Sequence, residues 1–305
     1  MIVVLGPTAT GKTKFAARLA AAINAEIISA DSRQVYKDMT VGTGKDYKDY
    51  LVGDVNIPCH LVDLAEPGYE YNVFEFKRDF YRAFNEIISK NKQAILCGGT
   101  GLYIEAVLSN YRLDEVPINK DLRSELESYD DEQLAAVLAT MKKLHNHTDT
   151  DTRERMLRAI EIEKHFCEHK EVEEEQIVPE IIFGLSGDRD FVREKITCRL
   201  RDRLENENMI GEVEKLLASG VDSERLKRYG LEYKYITMYI LGELSYENMF
   251  EKLNIAIHQF SKRQMTWFRR MERHGYNIRW IDCQLDDDTK LRVALEMLGE
   301  PAYQK

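Results

Sequence analysis

The 305-residue sequence is short of several features that would place it outside an ordinary globular class. No apolar run approaches the ~18–20 residues that a membrane-spanning helix needs. Met1 leads directly into the strand-like Ile2-Val3-Val4-Leu5, with no basic lead-in and no cleavage signal, so secretion is not expected. The five cysteines (Cys59, Cys97, Cys167, Cys198, Cys283) lie far apart and form no CxxC pair. That disfavours a disulfide framework and a zinc ribbon, and fits a reducing cytoplasm. There is no internal repeat, and the one low-complexity piece is the acidic run 171–175. What is present suits a packed core: 44% of residues are apolar and 31% charged. The length allows one large domain, or a core with a smaller second one.

A net charge of −10 at first sight argues against a nucleic-acid partner. Its distribution reverses that reading. Residues 114–188 hold 20 Asp/Glu against 9 Lys/Arg, so the remainder is close to neutral. Within that remainder, residues 261–280 carry six Arg/Lys against one Glu, with Trp267, Phe268, Tyr276 and Trp280 interleaved. Bulk charge therefore does not rule out a phosphate-backbone ligand. Trp267 and Phe268 suit a core better than a base-stacking platform.

Short apolar runs alternate with amphipathic stretches. Strands are expected at Met1–Leu5, Glu26–Ala30, His60–Leu64, Ala94–Cys97, Ile181–Leu185 and Asn277–Asp282. Helices are expected over residues 12–23, 73–89, 190–218, 222–242 and 246–273. Strand–helix alternation implies βαβ units and a parallel sheet. Residues 118–175 lose the strand signal and read as helical and acid-rich, an insert within an α/β core.

The sharpest motif is Gly6-Pro7-Thr8-Ala9-Thr10-Gly11-Lys12-Thr13, directly after the first strand and opening a helix. Glycines let backbone N–H groups wrap a phosphate, and the helix N-terminus adds a favourable dipole. Lys12 can reach outer phosphate oxygens, and the Thr13 hydroxyl can ligate Mg²⁺. This predicts a site for a di- or triphosphate without saying which. A nucleotide hydrolase would add an apolar strand ending in a metal-holding Asp. Here Ala94–Cys97 ends in Gly98-Gly99-Thr100-Gly101, which favours a transferase that grips phosphates. The second strand ends in Asp31, which a parallel sheet places beside the phosphate loop as a general base or metal-shell ligand, or simply as a turn residue. His60 has no second ligand at metal spacing and reads as structural.

Taken together these segments resemble the tRNA dimethylallyltransferases. The resemblance runs through GPTATGKT, DSRQVYKDMTVGTGK (Asp31–Lys45), CHLVDLAEP (Cys59–Pro67), GGTGLYIEAVL (Gly98–Leu108), DTRERMLRAIEI (Asp151–Ile162), a helix at 195–213 ending in GEV, and SKRQMTWFRR (Ser261–Arg270). It implies a P-loop NTPase-like parallel sheet flanked by helices (residues 1–113 and 180–305) and a helical insert (114–179) that contacts the anticodon arm. The implied reaction moves a dimethylallyl group from its diphosphate to N6 of the adenosine 3′ to the anticodon (position 37) of tRNA. The implied roles are Asp31 as base, Gly6–Thr13 as the diphosphate loop, Thr13 as Mg²⁺ ligand, and Thr8 with Arg199 near the bridging oxygen. Lys195, one turn before Arg199, is a second candidate. Implied tRNA contacts fall on Asp31, Ser32, Arg33, Gln34, Thr100, Arg123, Glu154, Arg155, Met156, Leu157 and Arg158. Arg153, Arg155 and Arg158 could grip phosphates or pair with Glu154 or Glu161.

The sequence departs from the family pattern in places. Cys59-His60 replaces His-His, Gly42-Thr-Gly-Lys45-Asp46 replaces GTAKP, Gly230-Leu-Glu-Tyr233 stands for a GYxE-like turn, and the insert is short. Without a C-terminal zinc finger, the resemblance is to bacterial members. A monomer is expected, since no long apolar stripe is left over. Two other chemistries share the loop and Asp31: prenylation of free adenine nucleotides, and a small-molecule kinase. A catalytically idle RNA-binding protein is the non-enzymatic alternative, and retention of Lys12, Thr13, Asp31 and Arg199 speaks against it.

Overall fold

Ile2–Leu5 (β1) is apolar at every position, as a strand covered on both faces must be. In the computed structural model, which describes residues 1–109, 116–141, 150–168 and 177–299, it lies within a six-stranded sheet. The other strands in chain order are β2 (Ala25–Ser29), β3 (Leu51–Val52), β4 (Val55–Asn56), β5 (Cys59–His60), β6 (Gln93–Gly98), β7 (Ile181–Ser186) and β8 (Ile278–Asp282). The sheet runs β5-β2-β6-β1-β7-β8 and every neighbouring pair is parallel. β3 and β4 form a separate antiparallel hairpin. Val4 sits between Cys97 and Phe183, and Leu5 between Gly98 and Gly184, so β1 and β6 finish level with one another while β7 runs on to Ser186.

Helix α1 (Lys12–Ile23) covers one face of the sheet, with Phe15 and Leu19 packing among Ile95, Phe183 and Leu295. The other face is covered by α2 (Val73–Ser89), α3 (Gly101–Leu108) and the 28-residue α11 (Tyr246–Arg273) through Phe76, Phe80, Ile104, Phe268 and Met271. Asn72 and Glu75 form a capping box that starts α2 where the sequence pattern places it. α12 (Asp287–Leu298) follows the last strand and supplies Leu295 to the α1 side.

The single helices expected at 190–218 and 222–242 are each two. Asn208 at φ 56° ends the first run, giving α7 (Arg189–Glu205) and α8 (Met209–Ala218). The extended Gly230 separates α9 (Ser223–Leu226) from α10 (Leu231–Ile240). With α11 they enclose a third core around Val213, Tyr233, Ile236 and Leu253. The strand expected at His60–Leu64 is only Cys59–His60, because Leu61 (φ 62°) and Asp63 (φ 56°) turn the chain away. The acidic run 171–175 lies outside the described residues.

The chain divides into two compact units, Met1–Tyr111 with Gln176–Lys305, and Arg112–Glu175. Within the smaller unit, α4 (Lys120–Glu125), α5 (Asp131–Met141) and α6 (Arg153–Glu168) bury Leu122, Leu134, Leu138, Met156 and Ile160 against one another. The buried Glu161 carboxylate is held by Arg123 at 2.6 and 3.1 Å and by Arg158 at 3.2 Å, and accepts the Asn119 amide at 3.1 Å. A buried charge is tolerable when it is satisfied in this way.

Candidate active site

The C-terminal ends of the neighbouring strands β1, β6 and β2 deliver three loops to one cavity of about 790 Å³. From β1 comes the loop Gly6–Thr13. A Cβ on Gly6 would stand 2.4 Å from the Leu185 carbonyl oxygen, so only glycine lets the chain turn beside β7 here. Lys12 Nζ donates to the Pro7 carbonyl at 2.7 Å and Thr10 Oγ1 donates to the same oxygen at 2.9 Å. Both contacts curl the loop around its own centre. Burial pushes the Lys12 ammonium down to about 8, with Asp31 opposing that shift and Arg199 adding to it. Behind the loop, burial pushes the Cys97 thiol up to about 12, so it is not a nucleophile at neutral pH.

From β2 comes Asp31. Its Oδ1 accepts the Arg33 amide at 2.9 Å, an Asx-type turn that fixes the side chain at the cavity wall. From β6 comes Gly98-Gly99-Thr100-Gly101. Thr100 Oγ1 accepts the Ser32 amide at 3.0 Å and ties this turn to Asp31's. Ser32 and Arg33 line the cavity as well, whereas Gln34 is buried and occupied: it accepts from Ser29 Oγ at 3.0 Å and donates to the Gly44 carbonyl at 3.1 Å. Gln264 on α11 joins the two glycine turns, donating to the Gly99 carbonyl at 2.9 Å and accepting the Thr8 amide at 2.9 Å. Trp267 lines the cavity with its face against Arg270 (4.2 Å), while its neighbour Phe268 is core.

Across the cavity α7 presents Lys195, Arg199 and Arg203, four residues apart and therefore on one face. Arg199 donates to Asp46 at 2.8 Å, and Arg203 donates to both Asp46 oxygens at 3.3 Å. Burial lowers the Arg199 pKa, with Arg203's charge adding to it. Burial also raises the carboxyls of Glu232 and Asp49 on the same wall; Asp46 reinforces the shift at Asp49. The loop that brings Asp46 hangs from Glu212, which accepts the amides of Thr40 (2.8 Å), Val41 (2.7 Å) and Gly42 (3.0 Å) and the Tyr233 hydroxyl (2.6 Å).

The structure sorts the sequence-predicted residues by place. Thr8, Ala9, Gly11, Lys12, Thr13, Asp31–Gln34, Thr100, Lys195 and Arg199 line one cavity, whereas Gly6, Pro7 and Thr10 of the same loop do not. Arg123, Glu154, Arg155, Met156, Leu157 and Arg158 belong to the smaller unit, where Met156 is core. Arg158 also donates to the Val116 carbonyl at 2.6 Å, Arg155 pairs with Asp151 at 3.1 Å, and Arg153 donates to the Leu126 and Glu127 carbonyls at 3.0 Å. Of the two partners expected for this trio, Glu161 takes Arg158, while Arg155 goes to Asp151. Arg203, Asp46, Glu212, Glu232 and Gln264 were not anticipated in the site. Arg203 carried a spacing signal, four residues from Arg199, while Glu212 and Gln264 stood in motifs (GEV, SKRQMTWFRR) and Asp46 and Glu232 in departures that gave them no role. His60 is structural, bonded to Glu26 at 2.7 Å.

The sequence and fold that build this site, a glycine loop facing a carboxylate and a cationic helix, are similar to those of known proteins. The model of the IPP transferase family matches residues 34–271. The chain belongs to that family. The tRNA dimethylallyltransferase 1 of Parabacteroides distasonis is 53% identical over 98% of this chain and 97% of its own length. The tRNA dimethylallyltransferase 2 of Bacteroides fragilis is 52% identical over 98% of each. The crystal structure of the full-length tRNA isopentenylpyrophosphate transferase of Bacillus halodurans superposes with a TM-score of 0.70, at 28% identity, covering 98% of this chain and 95% of that one. The family relationship extends over nearly the whole sequence. Among the described residues no helix is long and apolar enough to cross a membrane.

Proposed function

We propose that the chain transfers a dimethylallyl group from dimethylallyl diphosphate to N6 of the adenosine 3′-adjacent to the anticodon of tRNA, releasing diphosphate. The observation that carries this reading is the single cavity in which Asp31 faces the Gly6–Thr13 loop and the Lys195–Arg199–Arg203 face of α7. The names of its full-length relatives agree with it.

The chemistry sets the roles. The exocyclic amine of adenine is a weak nucleophile because its lone pair is delocalised into the ring. Asp31 takes the N6 proton as the N–C bond forms, and the allylic C–O bond breaks with its electron pair going to diphosphate. The Arg33 amide holds one Asp31 oxygen and leaves the other for that proton. Charge grows on the leaving group beside Lys12, the loop amides, the Thr8 hydroxyl and Arg199. By analogy with oxyanion donors, each well-placed donor is worth about 3 kcal/mol there.

Mg²⁺ fits this site through Thr13, which opens α1 at the cavity. Among the described residues no group of three or more His, Cys, Asp or Glu could hold a metal ion by itself. That suits a cation bound chiefly through substrate oxygens and water. When bound, Mg²⁺ neutralises diphosphate charge. The acceptor base must leave its stack to reach Asp31, so Ser32, Arg33 and Thr100 at the cavity wall are placed to receive a flipped nucleotide. In the smaller unit, the half-exposed Arg155 is the member of the arginine trio best able to meet tRNA phosphates, because Arg153 and Arg158 are committed to backbone carbonyls.

The test is direct: purified protein, Mg²⁺, labelled dimethylallyl diphosphate and unmodified tRNA, with AMP and ATP as parallel acceptors. Label in one N6-modified adenosine next to the anticodon, lost in Asp31→Asn, is expected. Label confined to free nucleotide would move the chain to adenylate prenylation. Phosphate transfer from ATP without prenylation would make it a kinase.

A further inference from the structure

The Asp46 carboxylate lies where an anion is wanted. It accepts Arg199 at 2.8 Å and Arg203 at 3.3 Å on the wall of the phosphate-loop cavity. Gly44 makes the approach possible: at φ 73°, a Cβ there would stand 2.8 Å from Arg199 Nη2 and 3.0 Å from Arg203 Nη2. One carboxylate therefore serves two guanidinium groups. They are not equivalent, since the Arg203 side chain is 9% exposed and also faces Glu207 at 3.8 Å, while that of Arg199 is 34% exposed.

The loop that carries Asp46 is also fixed. Glu212 holds the amides of residues 40–42, Gln34 holds the Gly44 carbonyl, and the buried Lys45 ammonium bonds the Tyr36 carbonyl and Asp63. With the backbone on its N-terminal side held in this way, the Asp46 carboxylate stays close to Arg199 when a diphosphate arrives.

We propose that Asp46 is a positioning residue that acts as the internal counter-anion of Arg199: it holds the guanidinium in place before the donor arrives and weakens retention of the diphosphate product afterwards. The inference rests on the phosphate loop being the diphosphate site. It assigns the Asp46 loop a part in product release as well as in shape. An orienting role alone would make every neutral substitution bind diphosphate worse; the counter-anion role makes it bind better.

The experiment is titration of inorganic diphosphate with Mg²⁺ into the full chain, comparing wild type with Asp46→Asn, Asp46→Ser and Lys12→Ala, with thermal melting to verify folding. Both neutral Asp46 variants are expected to bind diphosphate about tenfold tighter, on the order of the one-unit shift that a single neighbouring charge causes. Product inhibition of prenyl transfer should strengthen in step, and donor KM should fall without a rise in kcat. Equal or weaker binding by both folded variants overturns the proposal while leaving the diphosphate site intact. A wild type that does not bind diphosphate, or a Lys12→Ala variant that binds as well as wild type, overturns the reading of the loop and the inference with it.

Discussion

Gln264 Oε1 accepts the Thr8 backbone amide at 2.9 Å, a contact that spans 256 residues of sequence. The same side chain donates to Gly99, so one amide on α11 holds both glycine turns of the site. Gln264→Ala leaves a Thr8 N–H and a Gly99 carbonyl without their protein partner, a loss of about 1–3 kcal/mol. A lower melting temperature is expected together with a higher KM for the allyl donor. A donor KM equal to wild type would mean that the loop keeps its shape unaided.

Lys12 supplies a pH dependence. Its folded-state pKa of about 8 lies below the usual 10.5, so the ammonium is present at neutral pH and is lost as pH rises through about 8. Affinity for diphosphate should fall across that interval, and Lys12→Arg should flatten the profile because a guanidinium stays charged. Lys12→Ala should weaken binding throughout without unfolding the protein. Titrations with diphosphate between neutral and alkaline pH measure all three.

Glu212 is the peg on which residues 40–42 hang. Removing its carboxylate in Glu212→Ala strips three backbone amides and the Tyr233 hydroxyl of their acceptor. A destabilisation of about 3 kcal/mol or more is expected. Hydrogen exchange at Thr40, Val41 and Gly42 should accelerate well beyond that of β1. Unchanged protection at these three amides would show that other contacts hold the loop.

Acid stability should depend on Glu26. This buried carboxylate bonds Lys92 at 2.9 Å, His60 at 2.7 Å and Lys90 at 3.3 Å. Burial opposes its ionisation, but these three partners prevail and hold it down to about 2. A depressed carboxylate contributes stability that is complete above its unfolded pKa of about 4.5 and disappears as pH falls through about 2. Wild type should therefore exceed Glu26→Gln by up to about 3 kcal/mol at neutral pH, with the gap closing in acid. Urea denaturation of both proteins across that pH range tests this; a constant gap would remove Glu26 from the acid transition.

What could be read from the sequence was what is local. The phosphate loop, Asp31 and Thr100 declare themselves because a strand end, a glycine and a helix start are contiguous. β1, α1, α2 and α11 follow from apolar spacing alone. The breaks at Asn208 and Gly230 were hidden because apolar spacing continues across them, and only the backbone turns. Cys59–His60 looked longer because Leu61 and Leu64 are apolar, although Leu61 has a left-handed backbone that ends pairing. Asp46 meets Arg199 across 153 residues and Glu212 meets Thr40 across 172, distances at which residue type carries no positional signal. Asp46 looked like a departure from a pattern; folded, it is a ligand of two arginines. The arginines of α6 looked alike in sequence, yet one is half-exposed and two reach backbone carbonyls.

The position of β1 inside the parallel sheet has a consequence for how the chain is made. β1 leaves the ribosome before both of its sheet neighbours, which begin at Gln93 and Ile181. At a synthesis rate of about 10 residues per second, roughly 18 seconds separate β1 from its second partner. For that time the growing chain carries a naked apolar edge, while helices α4, α5 and α6 of the insert, whose contacts are local, can fold ahead of it. Nascent chains halted before β7 should bind holdase chaperones, and those halted after α12 should not.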